Sequence, residues 1–282
     1  MALRLSLVTG TLNRPREIRR FLASCVDQIT APHEIVIVDQ SPDDLTAQSV
    51  AEFKGNLPII YIRDAGRGLS RGRNIGLKKV TGDIIAFPDD DCEYMNDTVS
   101  RVLDIFNKDK DLHIYTGMSV TTDKVPSQGR WAKSSHVINE FNVWTSQTSY
   151  TTFYRADFFM NLGGFDENLG VGAGTIWGAG EETEIMLRAL KLGARGRYDP
   201  CLKIAHPEPL AVYNESAMLR GKNYNRGFGR VLRMNDYPLW FVGYMALRPL
   251  GGVLPALLQK RSGLARYRYQ ACRERLLGWL DK

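Results

Sequence analysis

The sequence predicts an α/β protein built on a doubly wound sheet, followed by a helical, basic and aromatic tail. Three observations carry this. Strand-like and helix-like stretches alternate over about the first 90 of 282 residues. One of the strands, "HEIVIVDQS", is a continuous apolar run with no polar alternation, the pattern of a parallel strand covered on both faces. A third, "GDIIAFPDDD", runs into Pro88 and three adjacent carboxylates, Asp89, Asp90 and Asp91, where such sheets bind their ligands.

Leu5–Thr9 reads as the first strand. Asn13 and Pro15 then open a helix whose apolar positions Ile18, Leu22 and Val26 recur at helical spacing. The second strand ends on Asp39, residues 43–53 read as helix, and "LPIIYIRD" as the third strand. "GRGLSRGRNIGLKKV" is a glycine-rich turn into a helix, and Ile84–Phe87 the fourth strand. Asp39 and the acidic triplet both stand at carboxyl ends of strands and are expected at one crevice. From about residue 112 the regularity fades. "HIYTGMSVTT" is a strand. "SYTTFYRADFFMNLGGFDENLGVGAGTIWGAGEETEIMLRALKLG" is a strand, a glycine-rich loop and a helix with Ile185, Leu187, Ala189, Leu190 and Leu192 on its apolar side. "GRYDPCLKIAHPEP" is a strand and turn.

Composition narrows the class. The net charge of +6 is uneven: residues 212–282 hold thirteen Lys/Arg against four Asp/Glu, leaving a slightly acidic body. Cys25, Cys92, Cys201 and Cys272 form no CxxC pair, which speaks against a zinc site and for reduced thiols in the cytoplasm. The start reads as a strand and not as a signal peptide. The apolar stretch from Pro238 is interrupted by Arg248, Pro249 and a glycine pair, so no spanning helix is expected. There is no P-loop, no GxGxxG after the first strand and no GxSxG, which excludes the commonest nucleotide-cofactor and serine-nucleophile classes.

Three carboxylates at a strand end suit Mg²⁺ or Mn²⁺, which bind through one or two carboxylates together with substrate phosphates. A solvated acidic turn is the plain alternative. His206 is a nitrogen ligand if the fold carries it to the aspartates, and a structural histidine otherwise. Glu181 and Glu182 open a helix, where acidic residues are favoured for capping alone. Their functional reading is a general base beneath a mobile loop of six glycines, Gly163–Gly178. Arg71, Arg73 and Asn74 lie between glycines and suit a diphosphate.

Five stretches in order resemble the family 2 glycosyltransferases of GT-A fold: "LSLVTGTLNRPREIRRFLASCVDQ", "EIVIVDQS", "GLSRGRNIGLKKVTGDIIAFPDDDC", "GGFDENLGVGAGTIWGAGEETE" and "YDPCLKIAHPEP", together about residues 3–210. The resemblance implies a Rossmann-like nucleotide-diphospho-sugar transferase with a mixed central sheet and a C-terminal helical extension. Residues 1–211 would be the catalytic domain, 1–111 the nucleotide-sugar half and 112–211 the acceptor half, with 212–282 the extension. It also implies a nucleotide-sugar donor, a UDP-sugar by expectation, a divalent Mn²⁺ or Mg²⁺, and inversion at the anomeric carbon. Carried over by position, Thr9 and Asn13 line the nucleotide pocket, Asp39 contacts the base, and Arg73 and Asn74 border the donor. Asp89-x-Asp91 matches the DxD motif, with Asp89 toward the ribose and the metal, Asp91 on the metal, and Asp90 a structural member of the donor set. His206 matches the downstream metal ligand, and Glu181-Glu182 the pair whose second member is the base. The chain departs from the pattern twice, at Gln40 after Asp39 and at Glu182 where Asp is usual, which leaves Glu181 a rival base. Trp177 and the stretch Tyr150–Phe153, with Thr152, would form an acceptor wall; core packing is the alternative.

The function expected is a metal-dependent inverting hexosyl-type glycosyltransferase acting on a glycan or lipid-linked acceptor in bacterial surface polysaccharide biosynthesis. A sugar-phosphate nucleotidyltransferase fits less well, since "TGTLNRP" stands where its phosphate-binding motif belongs. A non-catalytic nucleotide-sugar or glycan-binding protein is the third class. The tail mixes Arg/Lys with Trp240, Phe241, Tyr244, Leu247, Leu257, Tyr267 and Trp279. It reads as a surface that meets an anionic membrane, peripheral on the inner face of the plasma membrane, or as a helical subdomain or dimer contact. No nucleic acid is expected.

Overall fold

The structure is a computed structural model describing residues 2–208 and 212–281. The expected boundary at residue 211 therefore lies outside the described residues. Along the chain the elements are β1 (Leu5–Thr11), α1 (Pro15–Val26), β2 (Glu34–Asp39), α2 (Leu45–Ala51), β3 (Ile59–Arg63), α3 (Leu69–Leu77), β4 (Ile84–Ala86), β5 (Glu93–Tyr94), α4 (Thr98–Lys108), β6 (Ile114–Val120), β7 (His136–Val137), β8 (Thr152–Arg155), α5 (Ala156–Met160), α6 (Glu181–Lys191) and β9 (Gly196–Ala205). The tail adds α7 (Glu215–Met234), α8 (Leu239–Leu247), α9 (Val253–Leu258) and α10 (Ser262–Leu280). They form two compact units: residues 1–165 with 185–208, and residues 166–184 with 209–282.

The first unit is a mixed sheet in the order β3-β2-β1-β4-β8-β6-β9-β5, with β7 paired to β9. β3, β2, β1 and β4 run parallel, and every residue of β2 is buried, as its unbroken apolar run requires. β8 joins antiparallel to β4 and β6. β1 extends two residues beyond the expected Thr9, because Gly10 and Thr11 keep register with Val38 and Asp39. On α1 the buried face is Ile18, Phe21, Leu22 and Cys25, while Val26 is 42% exposed, a correction of one position at the helix end. Leu192 likewise falls past the end of α6 and is exposed, and Met186 takes the core place. The four cysteines are free.

β9 is the long strand of this unit. It pairs parallel with β6, and antiparallel with β5 and β7. Its register against β6 shifts between Thr116 and Met118, where a Cβ on Gly117 would meet the Leu202 carbonyl oxygen at 2.2 Å. Pro200 sits inside the irregular stretch, where a missing N–H is tolerated. The bulge brings the far end of β9 into pairing with β5, directly after the acidic triplet.

In the second unit α7 and α10 approach backbone to backbone. A Cβ on Gly229 would meet the Arg275 carbonyl oxygen at 2.1 Å, and one on Gly278 the Arg226 carbonyl oxygen at the same distance. Arg226 pairs with buried Glu274 at 2.6 Å and with Asp281 at 2.8 Å. Arg275 donates to Asn225 Oδ1 and to the Met245 carbonyl, lies 4.0 Å over the Phe228 ring, and is pulled down to about 10 by burial and by Arg248. The glycine-rich loop belongs to this unit from Asp166 on, and its end is docked: Gly178 donates to the Asn223 carbonyl at 3.0 Å, and Gly227 leaves no room for a Cβ beside Ala179. The glycines at this end serve close packing on α7, which the expected mobile loop did not include.

Candidate metal and donor site

β4 ends at Ala86, and Phe87 stays in the core against Phe159 and Phe165, with ring centroids 5.0 and 4.8 Å away. Pro88 breaks the strand and the chain turns through the three aspartates into β5. In the β5–β9 ladder Glu93 faces Ala205 and Tyr94 faces Ile204. Asp91, two residues before that ladder, and His206, one residue after it, are thereby set side by side. The His206 N–H donates to the Val120 carbonyl at 2.9 Å and fixes the backbone there.

The side chains converge. His206 Nε2 lies 3.0 Å from Asp91 Oδ1 and 4.0 Å from Asp89 Oδ2, and one ligand atom from each of the three falls within 4.8 Å of the others. His206 Nδ1 is 2.7 Å from the Pro207 carbonyl oxygen, which only accepts, so Nδ1 carries the proton and Nε2 is turned toward the carboxylates. Tyr150 stacks on the imidazole at 4.6 Å and 20°, and its hydroxyl donates to Ser119 Oγ at 2.9 Å.

The cost of three adjacent carboxylates is met one by one. Asp89 pairs with the wholly buried Arg73 at 3.0 Å and accepts from Ser149 at 3.2 Å. Asp90 takes Arg14 Nη1 at 2.9 Å, and Asp91 takes Arg14 Nη2 at 2.5 Å. Burial still pushes Asp90 up to about 7, against the pull of Arg14 and Thr11. Burial acts on Asp91 too, but His206 and Arg14 outweigh it and hold that carboxyl down to about 2. Burial lowers His206, and the bond to Asp91 with the charges of Asp91 and Asp89 more than reverses it, so its pKa is raised. Two carboxylate oxygens and one imidazole nitrogen of fixed tautomer are a donor set that fits Mn²⁺ or Mg²⁺.

The other expected donor residues fall around the same strand ends. β2 and β4 flank β1, so Asp39 and Asp89 stand at carboxyl ends on either side of it. The Thr9 hydroxyl is fully buried and has no hydrogen-bond partner among the described residues. Asn13 is exposed in the left-handed region at φ 57°, its N–H donating to Ser41 Oγ at 2.8 Å. Asp39 is buried and accepts from the Ser41 N–H and the Tyr61 hydroxyl. Gln40, the departure from the family pattern, donates to Asp64 at 3.0 Å and accepts from the Gly68 N–H at 3.1 Å. Gly68 has φ 122°, so Gln40 clamps the strained turn into α3. The Asn74 amide holds both backbone groups of Phe165.

Two residues at the centre carried no expectation. Arg14, in "NRP", signals itself only as a cation beside a helix-opening proline, and its partners lie 76 and 77 positions away. Ser149 is the first residue of the stretch read as a strand, and nothing in its type marked it for the site. One expectation is corrected: Thr152 is fully buried, its hydroxyl bonded to the Thr148 carbonyl and to Thr116, so it belongs to the sheet core and lines no acceptor wall. Phe153 is core as well, and Tyr150 serves His206. In the second unit, Glu181 (buried) and Glu182 (half-buried) open α6, and Trp177 lies under the Arg230 guanidinium at 4.4 Å.

A mixed sheet of this topology with helices after it is the fold of the GT-A glycosyltransferases. The chain belongs to glycosyl transferase family 2, whose sequence pattern matches residues 6–167. Among curated relatives it is similar to a glucosyl-dolichyl phosphate glucuronosyltransferase of Haloferax volcanii, 25% identical over 57% of this chain and 55% of the relative. It is also similar to a chondroitin synthase of Escherichia coli, 26% identical over 78% of this chain and 37% of the relative. The chain spans about half the length, or less, of the curated relatives it matches first. In fold it resembles the mannosyltransferase PcManGT of Pyrobaculum calidifontis, solved with GDP-Man and Mn²⁺, with a TM-score of 0.69, 16% identity, and coverage of 100% of this chain and 89% of that one. It resembles S. aureus TarS 1-349 as well, with a TM-score of 0.60, 16% identity, and coverage of 96% and 92%.

Proposed function

We propose that this chain is a metal-dependent, inverting glycosyltransferase that moves a sugar from a nucleotide-sugar to a hydroxyl of a glycan or lipid-linked saccharide, in the assembly of bacterial surface polysaccharide. The observation that carries the reading is the Asp89–Asp91–His206 cluster in a family 2 chain. In this reading residues 1–111 bind the donor and 112–211 the acceptor, and 212–282 make a peripheral contact with a membrane on its cytoplasmic side. Fold neighbours solved with GDP-Man, UDP-GlcNAc and UDP support a nucleotide-diphosphate donor, with a UDP-sugar as the first to test.

Asp91, His206 and Asp89 would hold Mn²⁺ or Mg²⁺. Bound there, the ion supplies charge neutralisation for the diphosphate leaving group. The protein's own part is positioning. Arg73, buried under Asp89, keeps that carboxylate from swinging away, and Arg14 leaves Asp91 one oxygen for the cation side. Thr9 brings a buried hydroxyl without a partner, and Asn13 and Asp39 border the nucleotide. Asp90, neutral or paired in its buried place, is structural. Glu182 takes the proton from the acceptor hydroxyl as that oxygen attacks the anomeric carbon and the bond to the diphosphate breaks, with Glu181 the rival. Trp177 offers its ring face to the acceptor sugar.

The test is a panel of UDP- and GDP-sugars with a lipid-linked or oligosaccharide acceptor, with and without Mn²⁺. Transfer of at least one sugar that requires the cation is expected. Tight cation binding with neither donor binding nor turnover across the panel would remove the reading.

A further inference from the structure

Residues 239–258 are apolar enough in composition to cross a membrane, yet only 28% of this stretch is buried. Its exposed side chains are not scattered. On α8, Trp240, Tyr244 and Leu247 follow one another at helical spacing and are exposed, whereas Phe241, Val242, Met245 and Ala246 are buried within the unit. On α9, Leu254, Leu257 and Leu258 form a second exposed stripe opposite the buried Ala256. Exposed apolar stripes on two consecutive helices mark an interaction site.

Charge identifies the occupant. Between Asp236 and Glu274 the sequence has six Arg/Lys and no carboxylate. Arg248 stands in the 3₁₀ turn joining the two stripes, Lys260 and Arg261 directly follow α9, and Arg266 lies on the first turns of α10; all four are exposed. A protein partner of ordinary surface would place both signs of charge opposite such a rim. A bilayer leaflet with anionic headgroups offers an apolar layer bordered by negative charge alone. From Leu239 to Leu258 the backbone is helical over 20 residues, long and apolar enough to cross a membrane. Arg248 and Pro249 interrupt its apolar run, and its inner face of Phe241, Val242, Met245 and Ala246 is buried within its own unit, packing that a spanning helix would have to give up.

We infer that α8 and α9 lie in the plane of an anionic membrane, with the Trp240–Tyr244–Leu247 and Leu254–Leu257–Leu258 faces in the acyl boundary and the basic rim on the headgroups. The inference rests on the peripheral contact proposed for the tail and fixes which face makes it. The aromatic residues sit at the depth where Trp and Tyr are favoured.

The test uses the full chain and vesicles of phosphatidylcholine alone or with about a third of phosphatidylglycerol, which gives the surface a negative potential. Sedimentation is expected with the anionic vesicles at low salt, weakening as salt rises. Leu254→Glu with Leu257→Glu should lower partition more than about a hundredfold. Lys260→Gln with Arg261→Gln should lower it about 30-fold on the anionic vesicles and narrow the preference for anionic lipid, Arg248 and Arg266 remaining. Circular dichroism of each variant reports folding of the chain and Mn²⁺ binding without vesicles reports the state of the donor site, so loss of membrane binding and loss of the transferase reading are separable. Equal sedimentation of parent and variants would overturn the inference. So would a concentration-dependent dimer that the Leu254/Leu257 change abolishes while no vesicle binding exists, since the face would then belong to a second copy.

Discussion

His206 Nε2 stands 3.0 Å from Asp91 Oδ1, although 114 residues separate the two in the chain, and the β5–β9 ladder is what closes that distance. The imidazole is pinned from three sides: Nδ1 by the Pro207 carbonyl, one ring face by Tyr150, and the backbone by Val120. A ligand held this way has lost its orientational freedom before any cation arrives.

His206→Ala should therefore weaken Mn²⁺ binding by more than the about 10- to 100-fold typical of lost supporting contacts. The pH dependence has a definite sign. The raised pKa of His206 means that Nε2 holds a proton against Asp91 at low pH, and a cation must displace it. Affinity should rise with pH by up to about tenfold per unit below that pKa and level off above it, with proton release detected by calorimetry in buffers of different ionisation heat. A pH-independent affinity from pH 5 to 8 would show that His206 is not a ligand.

Tyr150 separates stacking from hydrogen bonding. Tyr150→Phe keeps the ring on His206 and loses only the bond to Ser119, a cost of about 1 kcal/mol in urea unfolding with Mn²⁺ affinity unchanged. Tyr150→Ala should weaken Mn²⁺ binding as well. Equal metal affinity in both variants would remove the ring from the account.

Arg73 is buried entirely and paired with Asp89. Removing one partner of such a pair leaves the other charge uncompensated, so Arg73→Ala should cost about 3–5 kcal/mol of stability and reduce metal affinity through Asp89. Arg73→Lys should recover only part, since a point charge does not reproduce the planar fork. Unchanged denaturant midpoints would contradict this.

Asp64 tests the acid limb. Hydrogen bonds from Arg71, opposed by burial and helped by the Gly66 N–H and Gln40, hold its carboxyl down to about 2. A depressed folded-state pKa gives stability that is present above the ordinary aspartate value, about 3.9, and is lost as pH falls through about 2. Asp64→Asn should melt below the parent at pH 5 to 7 and converge with it near pH 2. A constant difference across that range would place the effect elsewhere than in ionisation.

Much of this was legible in sequence because it is local. The buried run of β2, the break at Pro88 and the periodicity of α6 are each contained within about a dozen residues, and the family resemblance set them in order. What was not legible depends on pairing across the chain. Arg14 is an ordinary arginine until α1 carries it over Asp90 and Asp91. Thr152 and Trp177 look alike as wall residues, but β8 buries one and the 166–184 segment keeps the other on α7's unit. Val26 and Leu192 fail at helix ends, where one residue of extra turn moves a side chain off the core face. At the end of the loop, the packing of Gly178 on Asn223 and of Gly227 on Ala179 has no sequence signature of its own.

In the proposed function Asp91 holds the cation through which a nucleotide-sugar is bound. This is decided by calorimetric titration of UDP-GlcNAc and GDP-Man into the parent and into Asp91→Asn, each with and without Mn²⁺. Binding of at least one donor by the parent is expected only when Mn²⁺ is present, and none by Asp91→Asn in either condition with its fold intact by circular dichroism. Mn²⁺-dependent donor binding of equal strength in Asp91→Asn would contradict it.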